Sequence, residues 1–387
     1  MNESKYKRLL YVFFSLLTFL TIVYSYTQVD LNLTLSTNAY YQIAQEKLQY
    51  VGYFQRTWSA IFYCVLMVLW FFLQYIVFSV WKKGKISRST IVKLLIITGC
   101  LVFSYPAFSY DVFNYMFDAR IVTNYGLDPH FFKALDFPND TWTRFMRWTH
   151  RYYPYGPIWL YLTLIPSYIG VQKFVLTLFL YKMMFAGFHF FNVWLIGKIT
   201  SLRSSKDSIV AMLMYGLNPL VITESLISPH NEVMMWTGVL VSIYFLMRKE
   251  LFFSVTMLLL SVGIKFLSLI LIPLITFVPP ASEKFYKIGF WLWTISLIPL
   301  ILSREFYPWY FVPILGWIAF LPVNSFYTIV GSGLSLGLLF RYVPFLLYGS
   351  YGDSANILTQ WWILVFFMGV SIYCFLWRRN DRQGAIK

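Results

Sequence analysis

At 387 residues, 59% hydrophobic, 21% aromatic and 12% charged, the chain lies well outside the soluble globular range, in which about 25% of residues are charged. A formal net charge of +15 would suit a nucleic-acid surface, but most basic residues fall in short clusters between apolar runs, the positive-inside pattern of a polytopic membrane protein. The three cysteines, Cys64, Cys100 and Cys374, sit inside apolar segments without metal-ligand spacing, which argues against disulfides and cysteine-bound zinc.

The first apolar run, 9–26, follows Lys5, Lys7 and Arg8 and is about as long as a full span. No small-residue cleavage site follows it, so it reads as a retained helix rather than a removed signal peptide. Further apolar segments lie at 59–80, 91–108, 174–196, 209–227, 233–247, 285–302 and 360–377, with less regular stretches at 157–170, 251–277, 310–321 and 326–347. The clusters Lys82/Lys83/Lys85/Arg88, Lys198/Arg203/Lys206, Arg248/Lys249, Lys284/Lys287 and Arg378/Arg379/Arg382 are assigned to the cytoplasmic side and set the parity of the crossings.

That parity constrains two short stretches. Segment 157–170 is shorter than the roughly 20 residues a spanning helix needs, and a crossing there would put Lys198/Arg203/Lys206 outside. It is therefore predicted as an outer-surface or re-entrant helix. Residues 109–173 become one extracytoplasmic loop between N-terminal spans at 1–108 and a transmembrane core at 174–387. Segment 251–277 must enter and leave on one side, as a pair of short helices turning near Lys265. The predicted fold is an all-α polytopic bundle of about ten to twelve transmembrane helices. Cytoplasmic loops of about a dozen residues leave no room for βαβ units of about 30 residues or more, so an activated substrate is expected to arrive through the membrane.

Five of the 16 acidic residues, Asp111, Asp118, Asp128, Asp136 and Asp140, fall within 109–159. Carboxylates beside a span are costly and mark a candidate site. Asp111, Tyr115 and Asp118 share one face of a helix predicted over 112–124, with Ser109 as its N-cap. A plain acidic cap is the structural alternative for Asp111. Arg144, Arg147, His150 and Arg151 lie between a Gly126-Leu127-Asp128-Pro129 turn and the rigid Tyr153-Pro154-Tyr155-Gly156-Pro157 turn. They place positive charge on the outer face, where it suits a bound phosphate or anionic lipid heads. Asn218-Pro219 is predicted to kink the fifth span, which carries Glu224 and leads into Ser228-Pro229-His230-Asn231-Glu232. That group reads as a polar inter-helix loop or as part of a site, and it is thin as a metal centre, because a carboxylate must be borrowed from elsewhere. Lys265 lies mid-segment, where an unpaired ammonium costs at least about 2.5 kcal/mol; snorkelling or a phosphate partner would offset that. Arg304, Glu305, Tyr307, Trp309 and Tyr310 form a further outer group, with an aromatic belt as the alternative. His189 is predicted to pack with an interhelical hydrogen bond.

In their order and sidedness, S-Y-D at 109–111, Tyr115, Ala119 and Arg120 on the following helix, G-L-D-P, Y-P-Y-G-P-I-W, N-P-L followed by P-H-N-E, intramembrane Lys265, and P-W-Y at 308–310 resemble the GT-C superfamily of integral-membrane glycosyltransferases. The closer resemblance is to bacterial polyprenyl-phosphate-mannose-dependent mannosyltransferases. It implies Asp111 as catalytic base, Glu232 as a second catalytic acidic residue, and a large first catalytic loop with amphipathic or re-entrant helices. With the residue-level reading, it marks Tyr115, Asp118, Arg120, Arg147, Arg151, Tyr155, His230, Asn231, Lys265, Arg304, Trp309 and Tyr310 as substrate-binding, with Tyr153, Tyr155 and Trp309 as stacking platforms for sugar rings. The implied reaction is inverting transfer of mannose from a polyprenyl-phosphate sugar to a glycolipid or cell-surface glycan, in a bacterial plasma membrane with the site on the extracytoplasmic face. No cofactor is fixed, a divalent metal stays open, and no nucleic-acid partner is implied. Where the superfamily commonly carries Asp, this chain has Glu232, and it has three predicted spans before the loop rather than one. The alternatives are a transporter or lipid flippase, which would bring internal repeats, and a membrane scaffold.

Overall fold

The computed structural model describes residues 3–204, 208–299, 306–323, 325–349, 365–366 and 368–370. It is an all-α polytopic membrane protein, and no strand occurs among the described residues. Helix α1 (Glu3–Ser25) leads through a 3₁₀ turn into α2 (Ala39–Tyr53), then α3 (Arg56–Lys82) and α4 (Arg88–Gly99). Helix α3 shows why the sequence makes a span. Tyr63, Leu66, Met67, Trp70, Leu73 and Val77 recur on one buried face, while Phe62, Val65, Leu69 and Phe72 are exposed on the other, as expected for an apolar helix whose solvent is lipid. Among the described residues four helices are long and apolar enough to cross, Glu3–Gln28, Arg56–Lys82, Phe174–Arg203 and Phe326–Tyr348, or five if a bent pair is one span. Shorter apolar helices, Pro157–Ile169, Glu232–Met247, Leu251–Val262 and Phe266–Phe277, fill other apolar segments. The predicted span at 360–377 lies largely outside the described residues.

The loop after α4 holds α5 (Asp111–Tyr125) and α6 (Pro157–Ile169), which pack on each other and on the start of α7 (Phe174–Arg203). Helix α5 ends where Gly126 takes a left-handed φ of 67°, with Gly126 N–H on Val122 O and Leu127 N–H on Ile121 O, the glycine-terminated helix end. Pro157 opens α6 at a position where its missing N–H costs nothing.

The predicted kink is a 56° bend between α8 (Ser208–Gly216) and the continuation Pro219–Ile227. Asn218 caps the second half, accepting from Leu220 N–H at 2.9 Å, and α9 (Pro219–Ile222) runs into a π-helical turn, Thr223–Ile227. Then α10 (Glu232–Met247) and α11 (Leu251–Val262) form a tight hairpin. Small residues let the backbones approach: a Cβ on Gly238 would stand 2.6 Å from Ser261 Cβ. Ser261 Oγ donates to Met235 O at 2.7 Å, and Ser242 meets Ser254 at 3.1 Å, the packing chemistry expected inside a membrane. The chain turns at 263–265 into a 3₁₀ segment, Phe266–Leu271, and α12 (Ile272–Phe277). Beyond lie α13 (Glu283–Ser296), α14 (Val312–Ile318), α15 (Phe326–Phe340) and α16 (Val343–Tyr348). The hairpin brings Glu232 and Lys265 to one end and leaves Arg248 and Lys249 at the other.

Candidate active site

Asp111 is the first residue of α5, where the helix dipole favours a carboxylate. The predicted N-cap, Ser109, is not the cap. Tyr110 holds that position without a side-chain bond, because the Ser109 hydroxyl is engaged elsewhere. It accepts from Asp111 N–H at 3.3 Å and lies 3.0 Å from His230 Nε2. The Asp111 side chain is 16% exposed and its Oδ2 is 3.7 Å from His230 Nε2, while Oδ1 accepts from the Trp148 indole at 3.3 Å.

His230 is held on every side. Its Nδ1 lies 2.8 Å from Glu224 Oε2, a close contact outside good hydrogen-bond angles, and Glu224 Oε1 accepts from Tyr342 OH at 2.9 Å. Glu224 projects from the π-helical turn, a distortion frequent at functional sites. Trp309 stacks on the imidazole at 4.1 Å, Tyr307 stacks on Trp309 at 4.5 Å, and Arg341 lies 4.8 Å over Tyr307. This column corrects an expectation. Both faces of Trp309 are covered, so it braces His230 and offers no platform to a sugar ring.

The Lys265 ammonium pairs with Glu232 Oε1 and lies 5.1 Å from the Tyr310 ring centre. Glu232 is 1% exposed and the Lys265 side chain 25%, so the carboxylate serves as counter-ion to a cation that keeps part of its surface exposed. The bend that presents Lys265 is fixed by the Tyr-Pro-Tyr-Gly-Pro turn. Gly156 N–H donates to Ile264 O and Ile158 N–H to Gly263 O, and a Cβ on Gly156 would stand 2.2 Å from Gly263 O. Tyr155 and Tyr115 meet edge to face at 5.5 Å beside this bend, within electrostatic reach of both Asp111 and Glu232. Asp111 likewise lies within reach of Lys265. Asn231 is buried between the two groups, with neither amide atom hydrogen-bonded.

The basic loop residues Arg147 and Arg151 are exposed at the rim, 4.6 Å over Tyr110 and 4.0 Å over Trp148. Arg120, predicted to bind substrate, is turned to the scaffold instead. About two and a half turns after Asp111, it leaves the opposite side of α5, pairs with Asp140 at 2.6 Å and with Gln172, and stacks over Trp142 at 4.4 Å. Burial pushes the Asp140 carboxyl up, but Arg120, the Trp142 N–H and Tyr125 OH outweigh it and hold it below the ordinary range. Asp118 is half-buried, and burial pushes it up to about 8. At Asp128 the backbone N–H of His130, followed by its ring, lowers the carboxyl. Arg304 and Glu305 lie outside the described residues. Among the described residues no group of three or more His, Cys, Asp or Glu side chains is arranged to hold a metal ion.

Sequence reasoning missed Lys182. Buried in α7, its ammonium binds Leu226 O, Ile227 O at 2.6 Å and Ser104 Oγ at 3.1 Å, closing the carbonyl end of the turn that carries Glu224. The rule that singles out Lys265, an ionisable residue inside an apolar span, applies equally to Lys182. His189 packs against Tyr215 at 6.2 Å, with the Gly216 backbone of α8 as the hydrogen-bonding group acting on its ring, although the contact falls outside good hydrogen-bond angles.

Residues 18–280, which contain Asp111, His230, Glu232 and Lys265, match the model of the MptA_B family, described as alpha-(1->6)-mannopyranosyltransferase, N-terminal domain. The chain belongs to this family. No curated protein and no solved structure matches it significantly. Membership of the MptA_B family places the chain among mannosyltransferases and supports mannosyl transfer as its reaction class. A carboxylate, a cation and aromatic side chains converging at one end of a helical bundle agree with that class.

Proposed function

We propose that the chain transfers mannose, with inversion, from a polyprenyl-phosphate donor to a mannose-containing glycan or glycolipid on the extracytoplasmic face, extending it through an α-(1→6) linkage as the family description implies. The observation that carries this reading is that Asp111 and the Glu232-paired Lys265 lie within electrostatic reach of each other at one end of the bundle. The acceptor hydroxyl attacks C1 of the donor mannose while the C1–O bond to phosphate breaks, through an oxocarbenium-like state. The departing polyprenyl phosphate, a monoester, is a weak base that leaves without protonation, so one carboxylate suffices, and Asp111 takes the acceptor proton. Lys265, oriented by Glu232, stabilises the departing phosphate. Tyr155 and Tyr310 line the sugar position, with Tyr115 buried behind Tyr155, and Arg147 and Arg151 meet the headgroup at the rim. Sidedness is supported by charge: Lys82 ends α3, Arg203 ends α7, and Arg248 and Lys249 follow α10, and the last two lie at the opposite end of the α10–α11 hairpin from Glu232 and Lys265. Positive charge there marks the cytoplasmic side.

The test is turnover by the purified full chain in nanodiscs, given polyprenyl-phosphate mannose and a short α-mannoside acceptor. The expected product is one hexose longer, with an anomeric configuration opposite to that of the donor. Turnover with GDP-mannose and no lipid donor, or a retained configuration, would overturn the proposal.

A further inference from the structure

The base in this reading has a built second half. We propose that His230, with Glu224 behind it, receives the proton that Asp111 takes from the acceptor, so that Asp111, His230 and Glu224 act as a relay rather than Asp111 alone. The inference rests on the reading of Asp111 as base. Three observations carry it. His230 Nε2 faces Asp111 Oδ2 at 3.7 Å while Nδ1 faces Glu224 Oε2 at 2.8 Å, so the ring bridges a part-exposed and a fully buried carboxylate. His230 Nε2 has Ser109 Oγ at 3.0 Å as well as Asp111 Oδ2 on its side of the ring, and Ser109 Oγ accepts from the Asp111 N–H. In the tautomer that the relay uses, the ring proton is on Nδ1, toward Glu224, and Nε2 accepts the Asp111 proton as the Ser109 hydroxyl hydrogen turns away. Finally, Trp309 covers the imidazole face at 4.1 Å and Tyr342 fixes the other Glu224 oxygen at 2.9 Å, so the ring and the carboxylate behind it are held in place.

The step balances. As the acceptor oxygen bonds to C1 and the phosphate leaves with its electron pair, the acceptor proton goes to Asp111 Oδ2. It passes to His230 Nε2, and the imidazolium is neutralised by Glu224. When the product has left, the proton returns from His230 Nε2 to Asp111, the part-exposed member of the relay, and from there to water, so that both groups are reset for the next turnover. A buried carboxylate that makes no substrate contact acquires a role this way, as the counter-charge of a transient cation. The charged groups acting on His230 are Glu224, Asp111 and Glu232, with Lys265 paired to Glu232 across the cavity.

The experiment compares pH profiles of kcat and KM for the wild-type chain and for His230→Gln, Glu224→Gln and Ser109→Ala, using polyprenyl-phosphate mannose and an α-mannoside, with Asp111→Asn as control. His230→Gln is expected to lower kcat about 10²-fold with KM for the donor within about threefold. Glu224→Gln removes the partner of the imidazolium, so the acidic limb of kcat is expected to move to lower pH along with a loss of rate. Should His230→Gln fail to fold, the limb in Glu224→Gln and Ser109→Ala carries the test. An unmoved limb and a kcat within twofold in Glu224→Gln, with Asp111→Asn inactive, would overturn the relay and leave the base standing. An active Asp111→Asn would overturn the base itself.

Discussion

Two cation–carboxylate pairs bracket α5, and they do different work. Arg120 is clamped: Asp140 takes its Nε–H, Gln172 an Nη–H and Trp142 its face, with only 13% of the side chain exposed. Lys265 has one carboxylate, an aromatic ring nearby and 25% exposure, so its ammonium keeps a donor for a further anion. Arginine's planar fork suits a fixed clamp, whereas lysine's rotatable ammonium suits a partner that comes and goes. A buried pair is thus read by what surrounds it: a closed shell marks scaffold and an open one marks a site.

The sharpest way to break that contrast begins at the cavity. Asp111→Asn is expected to lower mannosyl transfer by about 10³-fold or more while the protein expresses and elutes as the wild type does; near-normal turnover would remove Asp111 from the chemistry. Lys265→Met should cost about 10²-fold in kcat/KM, and a cationic additive such as methylamine should restore part of it. Arg120→Met is the mirror experiment. It should leave kcat of the folded fraction nearly unchanged while lowering stability by about 3 kcal/mol, the cost of a buried carboxylate losing its partner, read as a drop in Tm in detergent.

The clamp also has a pH signature. Asp140 is held below the ordinary carboxylate range, so its contribution to stability is complete above the unfolded value of about 3.9 and is lost as pH falls through the folded value. Wild-type Tm should therefore fall more steeply below about pH 4 than that of Asp140→Asn, which lacks the titrating group; parallel curves would show that Asp140 does not supply the acid sensitivity. The smallest effect is expected at Asp128, whose carboxylate is 51% exposed. Asp128→Asn should change Tm by less than the equivalent of about 1 kcal/mol, as a differential melt would show.

How much of this was legible depends on what each residue's signal looks like in one dimension. Helix α3 declares itself because apolar residues fill both its faces. Helix α2 is invisible to hydropathy, because its buried face is Gln45, Gln49 and Gly52. Gln45 donates to Leu33 O at 2.6 Å and Gln49 to Asp30 O at 3.0 Å, so polar side chains take the place of an apolar stripe. Asp111 and Lys265 were readable as charges out of place in an apolar chain. Their partners were not: Glu232 as the counter-ion of Lys265, and Trp309 as a brace rather than a platform, are contacts between elements distant in sequence.

By itself the sequence determined that this is an all-α membrane chain, where its breaks fall, and which charges are expensive enough to need a reason. It did so because hydropathy, proline, asparagine and glycine act over one or two turns of backbone. Only the tertiary structure decided which charge meets which. The Gly238 and Ser261 contact closes the α10–α11 hairpin, and the Gly156 and Gly263 contact seats the aromatic turn on the Lys265 bend. Those two close approaches bring residues from separate helices to one end of the bundle, and the positions of partners across them are set by packing rather than by any local pattern.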